Sequence, residues 1–231
     1  MAHAQIGRVR KLSKFLLHGR LDHFAYALWA RGRRLDFSRV SVADLGLRED
    51  RAKHHSASGG VFLIDVLREL RIPPGSRVID LGCGKGSAMC TLARFPFEEI
   101  AGVEISPAMA SIAEKNLRKL NIRGWNIYIA DASDFTDLDR FTHVYMFNPF
   151  PEVVMADVMR NLGASLKRTP RALTVIYFFP TCHDILIKSG LFTITRQIDS
   201  NLTHAFHIYQ HQPSVAGGQP GPRMIEPSAI A

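Results

Sequence analysis

The 231-residue sequence is short of several things, and each shortage removes a class of protein. It has three cysteines, Cys83, Cys90 and Cys182, too few for a disulfide framework and in no CxxC knuckle. A reducing, cytoplasmic setting is the expectation that follows. No apolar run approaches the roughly 20 residues of a membrane span. The first segment, MAHAQIGRVRKLSKFLLHGR, is basic but lacks the continuous apolar stretch and small-residue cleavage site of a secretory leader. No His/Cys set has metal-ligand spacing, and no internal repeat is visible.

What is present is a 46% apolar chain, enough for one full-sized domain with a core. The net charge of +8 is unevenly placed. Residues 1–58 hold 12 Lys/Arg against 5 Asp/Glu, a surplus of +7, and residues 59–231 hold 17 against 16. The basic N-terminal part suits a polyanionic partner, nucleic acid or acidic protein, or an anionic lipid surface. It equally suits a solvated basic helix face.

Hydrophobic spacing predicts one or two amphipathic helices within residues 1–35 and irregular chain over 36–57. Ser58 precedes GGVFLIDVLRELRI, read as a helix burying Val61, Phe62, Ile64, Leu67 and Leu70 and closed by Pro73-Pro74-Gly75. Short β-rich runs then alternate with helical segments. The strands are predicted at 77–81, 99–104, 125–130, 142–147 and 172–178. The helices are predicted at 86–95, 107–120 and 151–167, with a short one near 134–140. That alternation implies βαβ crossovers and a mostly parallel sheet covered on both faces. A helix near 182–189 follows. LFTITRQI and THAFHIYQ then read as an antiparallel hairpin finishing the sheet. The domain reading is a basic arm over 1–57, one α/β domain over 58–211, and a Gly/Pro/Ser-rich disordered tail over 212–231.

The most informative stretch is VIDLGCGKGSAM, residues 78–89, where a strand runs into glycines at 82, 84 and 86. In open α/β sheets ligands bind beyond the carboxyl ends of the strands, and this turn lies there. It is not a P-loop, because Ile79 stands at the first glycine's position and Gly86 follows Lys85. It is not a dinucleotide turn either, since Ser87 replaces the third glycine. Gly-x-Gly-x-Gly preceded by Asp80 remains.

In that form VIDLGCGKGSA resembles the first motif of the class I, Rossmann-like S-adenosylmethionine-dependent methyltransferases. AGVEISPAM resembles their second motif, and IYIADASDF their third-strand motif. The resemblance covers residues 56–210 and is to a bacterial branch of the superfamily. It implies a three-layer fold with a seven-stranded, mostly parallel sheet and S-adenosyl-L-methionine as cofactor. It also implies cofactor-binding roles for Asp80, Gly82, Gly84, Gly86, Glu104, Ile105, Asp131, Ala132 and Asn148. Glu104, 22 residues after Gly82, would accept from the ribose hydroxyls. Asp131 would accept from the adenine amino group, with backbone near Ala132 against the ring, and Asp80 would help hold the ammonium. Side-chain-free positions at Gly82 and Gly84 would let the ligand approach, and Gly86 would let the next helix start close to the strand. The plainer readings are a solvent-exposed strand end for Glu104, a helix cap for Asp131 and a turn-bonding role for Asp80. Cys83 is expected to pack inside the turn, and Lys85 to point to the mouth without chemistry.

The end of the fourth predicted strand reads Asn148-Pro149-Phe150-Pro151, which resembles the Asp/Asn/Ser-Pro-Pro-Tyr/Phe motif of amino-group methyltransferases with Phe150 in place of the second proline. The resemblance implies catalytic roles for Asn148, Pro149 and Phe150 and a nitrogen acceptor: protein lysine, nucleic-acid base or small amine. A strand-to-helix turn with Pro151 opening the helix is the plainer reading. Tyr177, Phe178 and Phe179 are expected to wall the acceptor pocket, and His54 and His55 to line the cofactor entrance. His143, His204 and His207 read as sheet or surface residues. Two other functions remain open at this level. One is an aminopropyl transferase on the same fold, against which counts the lack of an acidic pair at the fourth strand's end. The other is a non-catalytic protein that binds RNA or a partner.

Overall fold

The protein was described from a computed structural model, which covers residues 24–41, 43–46, 48, 50, 51, 53, 56–200 and 204–213. Seven strands form one sheet: β1 (Arg77–Leu81), β2 (Glu99–Glu104), β3 (Trp125–Ile129), β4 (His143–Phe147), β5 (Leu173–Phe178), β6 (Thr193–Ser200) and β7 (His204–His211). Their order across the sheet is β3-β2-β1-β4-β5-β7-β6. The first five are parallel, and β7 runs antiparallel to both β5 and β6. The expected parallel sheet with a closing hairpin is therefore what forms. The chain reverses direction across the sheet beside β1, between β2 and β4, and the glycine turn leaves β1 at that switch point.

β1, β4 and β5 are buried along nearly their whole length because helices cover both faces, so they read as continuous apolar runs rather than alternating ones. Alternate residues feed two cores. Ile79, Leu81, Val144 and Met146 pack with Val154, Val158 and Leu162 of the long helix Glu152–Arg168. Val78, Tyr145 and Ile176 pack on the other face with Leu63 and Leu67 of α1 (Val61–Leu70) and Met89 of α2 (Ser87–Leu92). The long helix is α4; α3 (Pro107–Lys119) precedes it and α5 (His183–Lys188) follows. α3 shows why its residues are helical. Ser106 caps it by accepting from the Met109 amide, Pro107 opens it, and Arg118 and Lys119 sit at the negative end of its dipole.

Three expectations need correction. α1 begins after Gly60 with no side-chain cap, and it buries Leu63, Ile64, Val66 and Leu67, leaving Val61, Phe62 and Leu70 only half-buried. No helix forms near 134–140. Consecutive turns run there, with Asp134 N–H donating to Asp131 C=O and Phe141 N–H to Leu138 C=O. Pro151 is the cap of α4, one residue before its first turn. Part of the stretch before residue 58 is described and touches the α/β domain. Residues 24–32 are helical, and Tyr26 places its hydroxyl 3.1 Å from Ser87 Oγ, burial raising its pKa to about 12. Residues 1–23 and 214–231, which carry most of the arm and tail expectations, lie outside the described residues, as do His54 and His55. Among the described residues no helix is long and apolar enough to cross a membrane.

Candidate active site

A cleft opens at the carboxyl ends of the parallel strands, where ligands of open α/β sheets bind. Its back wall is the glycine turn and the ends of β2 and β3: Gly82, Gly84, Glu104, Ile105, Asp131 and Ala132. Pro149 and Phe150, after β4, form one side. Its front wall was not foreseen residue by residue: Leu45, Arg51, Lys53, Ser56 and Ser58, a strap of chain ahead of α1.

The turn is built by backbone geometry. Val103 C=O accepts from both Gly82 and Cys83 N–H, which pins the turn to β2. Gly82 sits at φ +83°, and a Cβ there would lie 2.6 Å from Pro149 Cβ. Its missing side chain makes room for the loop after β4, whereas the sequence reading assigned that room to a ligand. Gly86, at φ +77°, would bring a Cβ to 3.1 Å from Ala113 Cβ, so the neighbour it admits is α3. Cys83 packs inside the turn, as expected, with Sγ against the position a Gly102 Cβ would need.

Glu104 bridges turn and helix. One carboxylate oxygen accepts from Gly84 N–H at 2.9 Å, the other from Ser106 N–H at 2.9 Å. Burial raises its pKa, opposed by those amides and by the Ile105 amide. A carboxylate has about four acceptor sites, so these amides leave some capacity for a ligand in the cleft. Asp80 lies beneath the turn, 3% exposed and outside the cleft lining. Its carboxylate has no hydrogen bond among the described residues. Burial first, and then Glu104, push its pKa well above the ordinary range. A buried carboxylate without a donor is a costly feature that a cationic group at the turn would relieve. These two groups fit a ligand carrying hydroxyls and an ammonium.

Asp131 lines the cleft, but its acceptor capacity is spent. Oδ2 accepts from Arg51 Nη2 at 2.6 Å and Nε at 3.1 Å, and Oδ1 from Ser133 N–H at 2.9 Å and Ser133 Oγ at 2.7 Å. Burial raises its pKa, and these donors outweigh it to a net lowering. An adenine amino group would reach Asp131 only by displacing Arg51.

Asn148 does not line the cleft, and neither does Gly86. Its backbone is at φ +37°. Its Oδ1 accepts from Lys53 Nζ at 2.6 Å and from Thr181 Oγ1. Phe150 lines the cleft while 6% exposed. Tyr177, Phe178 and Phe179 do not reach it. Tyr177 is fully buried and takes a bond from Cys182 N–H, and Phe178 stacks between Phe147 and Phe206. Lys85 turns away from the mouth: 3% exposed, it donates to Asp36 at 2.8 Å and Ser38 at 2.7 Å. Asn116, on α3, clamps the same spot, bonding Asp36 N–H, Asp36 C=O and Lys85 C=O. His143 is buried, its pKa lowered to about 4 by burial, and is a sheet residue as expected. Among the described residues no cluster of His, Cys, Asp and Glu could hold a metal ion.

The strap residues were missed because nothing local marks them. Arg51 and Lys53 are two cations among many in the basic N-terminal part. Their partners lie 80 and 95 residues away.

The comparisons with known proteins agree with this geometry. A family model described as "Methyltransferase domain" matches residues 78–169. A curated relative, the probable cobalt-precorrin-6B C(15)-methyltransferase (decarboxylating) of Thermoplasma acidophilum, is 31% identical over 83 residues. That match spans 35% of this chain and 41% of the relative, less than half of its length. Ribosomal protein L11 methylase from Lactobacillus delbrueckii subsp. bulgaricus shares the fold with TM-score 0.53 at 16% identity, over 65% of this chain and 77% of its own. A SAM dependent methyltransferase from Aquifex aeolicus gives 0.52 at 16% identity, over 64% and 88%. Magnesium protoporphyrin IX methyltransferase from Synechocystis, solved with bound SAM, gives 0.51 at 19% identity, over 65% and 76%. With the glycine turn at the switch point of this strand order, residues 78–169 match a methyltransferase domain, and the chain shares its fold with these S-adenosylmethionine-dependent methyltransferase structures.

Proposed function

We propose that the protein transfers a methyl group from S-adenosyl-L-methionine to an acceptor held in the cleft. The observation that carries this reading is Glu104. It lines the cleft, pinned beside the glycine turn by the Gly84 and Ser106 amides, and keeps acceptor capacity for a ligand. The sulfonium of the bound donor supplies an already activated methyl group, so the protein's share of the work is alignment and exclusion of water. Glu104 would take the ribose hydroxyls. Gly82 and Gly84 would face the amino-acid portion, with Asp80 beneath them as counter-charge. Ile105 and Ala132 would sandwich the base. Pro149 and Phe150 would shape the side from which the acceptor approaches, and the strap would close the front.

For the acceptor atom we infer nitrogen, from the position of Asn148-Pro149-Phe150 at the β4 edge of the cleft. Asn148 Oδ1 would have to exchange Lys53 or Thr181 for the target N–H. The similar proteins are named for varied acceptors: the Thermoplasma protein for C(15), and a Thermotoga maritima protein of the same fold as an O-methyltransferase. The basic surplus of residues 1–58 supports a further proposal, a polyanionic partner. The helix at 24–32 exposes Phe24, Leu28 and Trp29 beside Arg31, Arg33 and Arg34.

The test is calorimetry with S-adenosylhomocysteine. Wild type should bind, and Glu104→Ala should lose about 1.5–3 kcal/mol, the worth of charge-assisted hydrogen bonds. Equal affinities would withdraw Glu104 from the cofactor. Labelled donor with fractionated cell extract would then separate methyl transfer from aminopropyl transfer, and no turnover at all would favour a binding-only protein.

A further inference from the structure

Lys53 is a cation at the cleft with no anion beside it. Its Nζ donates to Asn148 Oδ1 at 2.6 Å and to Thr181 Oγ1 at 3.0 Å, both neutral oxygens. The other described cation lining the cleft, Arg51, spends its charge on Asp131, and Lys85 beside the turn spends its own on Asp36. Among the described residues Lys53 forms no ion pair. An ammonium has three donors, and two are accounted for. The third, and the net charge, are left for something that enters the cleft.

Position says which ligand that is. Asp131, Glu104 and the glycine turn follow β3, β2 and β1, one half of the strand order. The groups that aim Lys53 lie on the other side of β1: Asn148 follows β4 and Thr181 follows β5. The cation therefore stands past the β4 edge, on the acceptor's side of Pro149 and Phe150. The two neutral oxygens orient the ammonium without neutralising it, which is how a site keeps a charge for its ligand.

We propose that Lys53 anchors an anionic oxygen group, a carboxylate or phosphate, carried by a small-molecule methyl acceptor. The proposal rests on the cleft being a methyl-transfer site and adds the charge of its substrate. A cationic amine without an anionic substituent is disfavoured by the same ammonium, whereas a nitrogen acceptor that also bears an acid group satisfies both Lys53 and Asn148.

The experiment uses the full chain saturated with S-adenosylhomocysteine and four probes of one shape: benzoate, phenyl phosphate, benzamide and benzamidine. Binding is read by ligand-observed NMR. Benzoate or phenyl phosphate should bind at least about tenfold more tightly than benzamide, and benzamidine should be weakest. Lys53→Met should bring the anions down to the level of benzamide, and Lys53→Arg should keep the preference. The affinity of both variants for S-adenosylhomocysteine should stay within about threefold of wild type, which also reports folding. The proposal is overturned if wild type shows no anion preference, if Lys53→Met keeps it, or if benzamidine binds best. It is also overturned if Lys53→Met loses S-adenosylhomocysteine while Lys53→Arg retains it, because Lys53 would then hold the donor's carboxylate. Failure of wild type to bind S-adenosylhomocysteine would remove the underlying methyl-transfer reading, a result distinct from all of these.

Discussion

The back and front walls of the cleft are made by different physics. The back wall is backbone. Gly82, Cys83 and Gly84 donate to Val103 C=O and to Glu104 within a turn that joins adjacent strands, and Glu104 also accepts from the Ser106 amide two residues on. The front wall, and the chain that leads into it, are held by a few side chains: Asp36 to Lys85 and Asn116, Arg51 to Asp131, Lys53 to Asn148 and Thr181. A wall of backbone bonds between packed strands yields only with the domain. A wall of isolated side-chain bonds, several of them partly exposed, can open by itself. The contrast suits a site that must hold one ligand firmly and admit another.

The largest expected effect breaks the back wall. Gly82→Ala puts a Cβ 2.6 Å from Pro149 Cβ at a backbone φ of +83°. The left-handed conformation and the overlap together should cost about 2–5 kcal/mol. Urea denaturation should show it, with cofactor affinity falling as the loop after β4 is pushed outward. A loss under about 0.5 kcal/mol would mean that the two loops are not packed as described.

Acid should separate the sheet beneath the back wall from the strap. His143, on β4, has a pKa lowered by burial to about 4 from an ordinary 6.5. Its unfolded form takes a proton first, so stability falls as pH drops from 6.5 toward 4, by roughly 3 kcal/mol. His143→Phe should flatten that slope. Asp36 behaves differently. Burial raises its pKa, but bonds from Lys85 and Ser38 lower it to about 2 overall. Its contribution is complete above the ordinary 3.8 and is lost only as pH falls from there through about 2. Titration of stability from pH 7 to pH 4 in wild type and His143→Phe tests this; parallel curves would overturn it.

The smallest expected effect releases the strap at one point. The Arg51–Asp131 pair has side-chain exposures of 33% and 15%. Arg51→Ala should therefore change global stability by less than about 1 kcal/mol. It also frees Asp131 Oδ2, so affinity for S-adenosylhomocysteine should rise a few-fold if Asp131 accepts from the adenine amino group. A fall instead would assign Arg51 itself to the ligand.

The same contrast explains what could be read in advance. Strand positions, their parallel sense and the closing hairpin were legible, because apolar runs, crossover helices and glycine turns are local signals. The turn near 134–140 was not, since ASDFTDLD has helix-forming spacing but its bonds close as turns around Asp131. Gly82 was legible as a position that must lack a side chain, though not for the right neighbour. Pro149, which fills that space, is 67 residues further along. Glu104 could be assigned to the cleft from its place at a strand end. Asp131 could be too, but its saturation by Arg51 could not.

By itself, then, the sequence determined the sheet, the switch point and the backbone of the glycine turn, because each follows from periodicity and backbone conformation over a few residues. Only the tertiary structure decided which residues close the cleft and what charge they present. Lys53 meets Asn148 across 95 residues and Thr181 across 128. No local pattern encodes a meeting of that kind. It exists because the parallel sheet brings the ends of β4 and β5 to the same edge as the glycine turn, within reach of a chain that crosses in front of them.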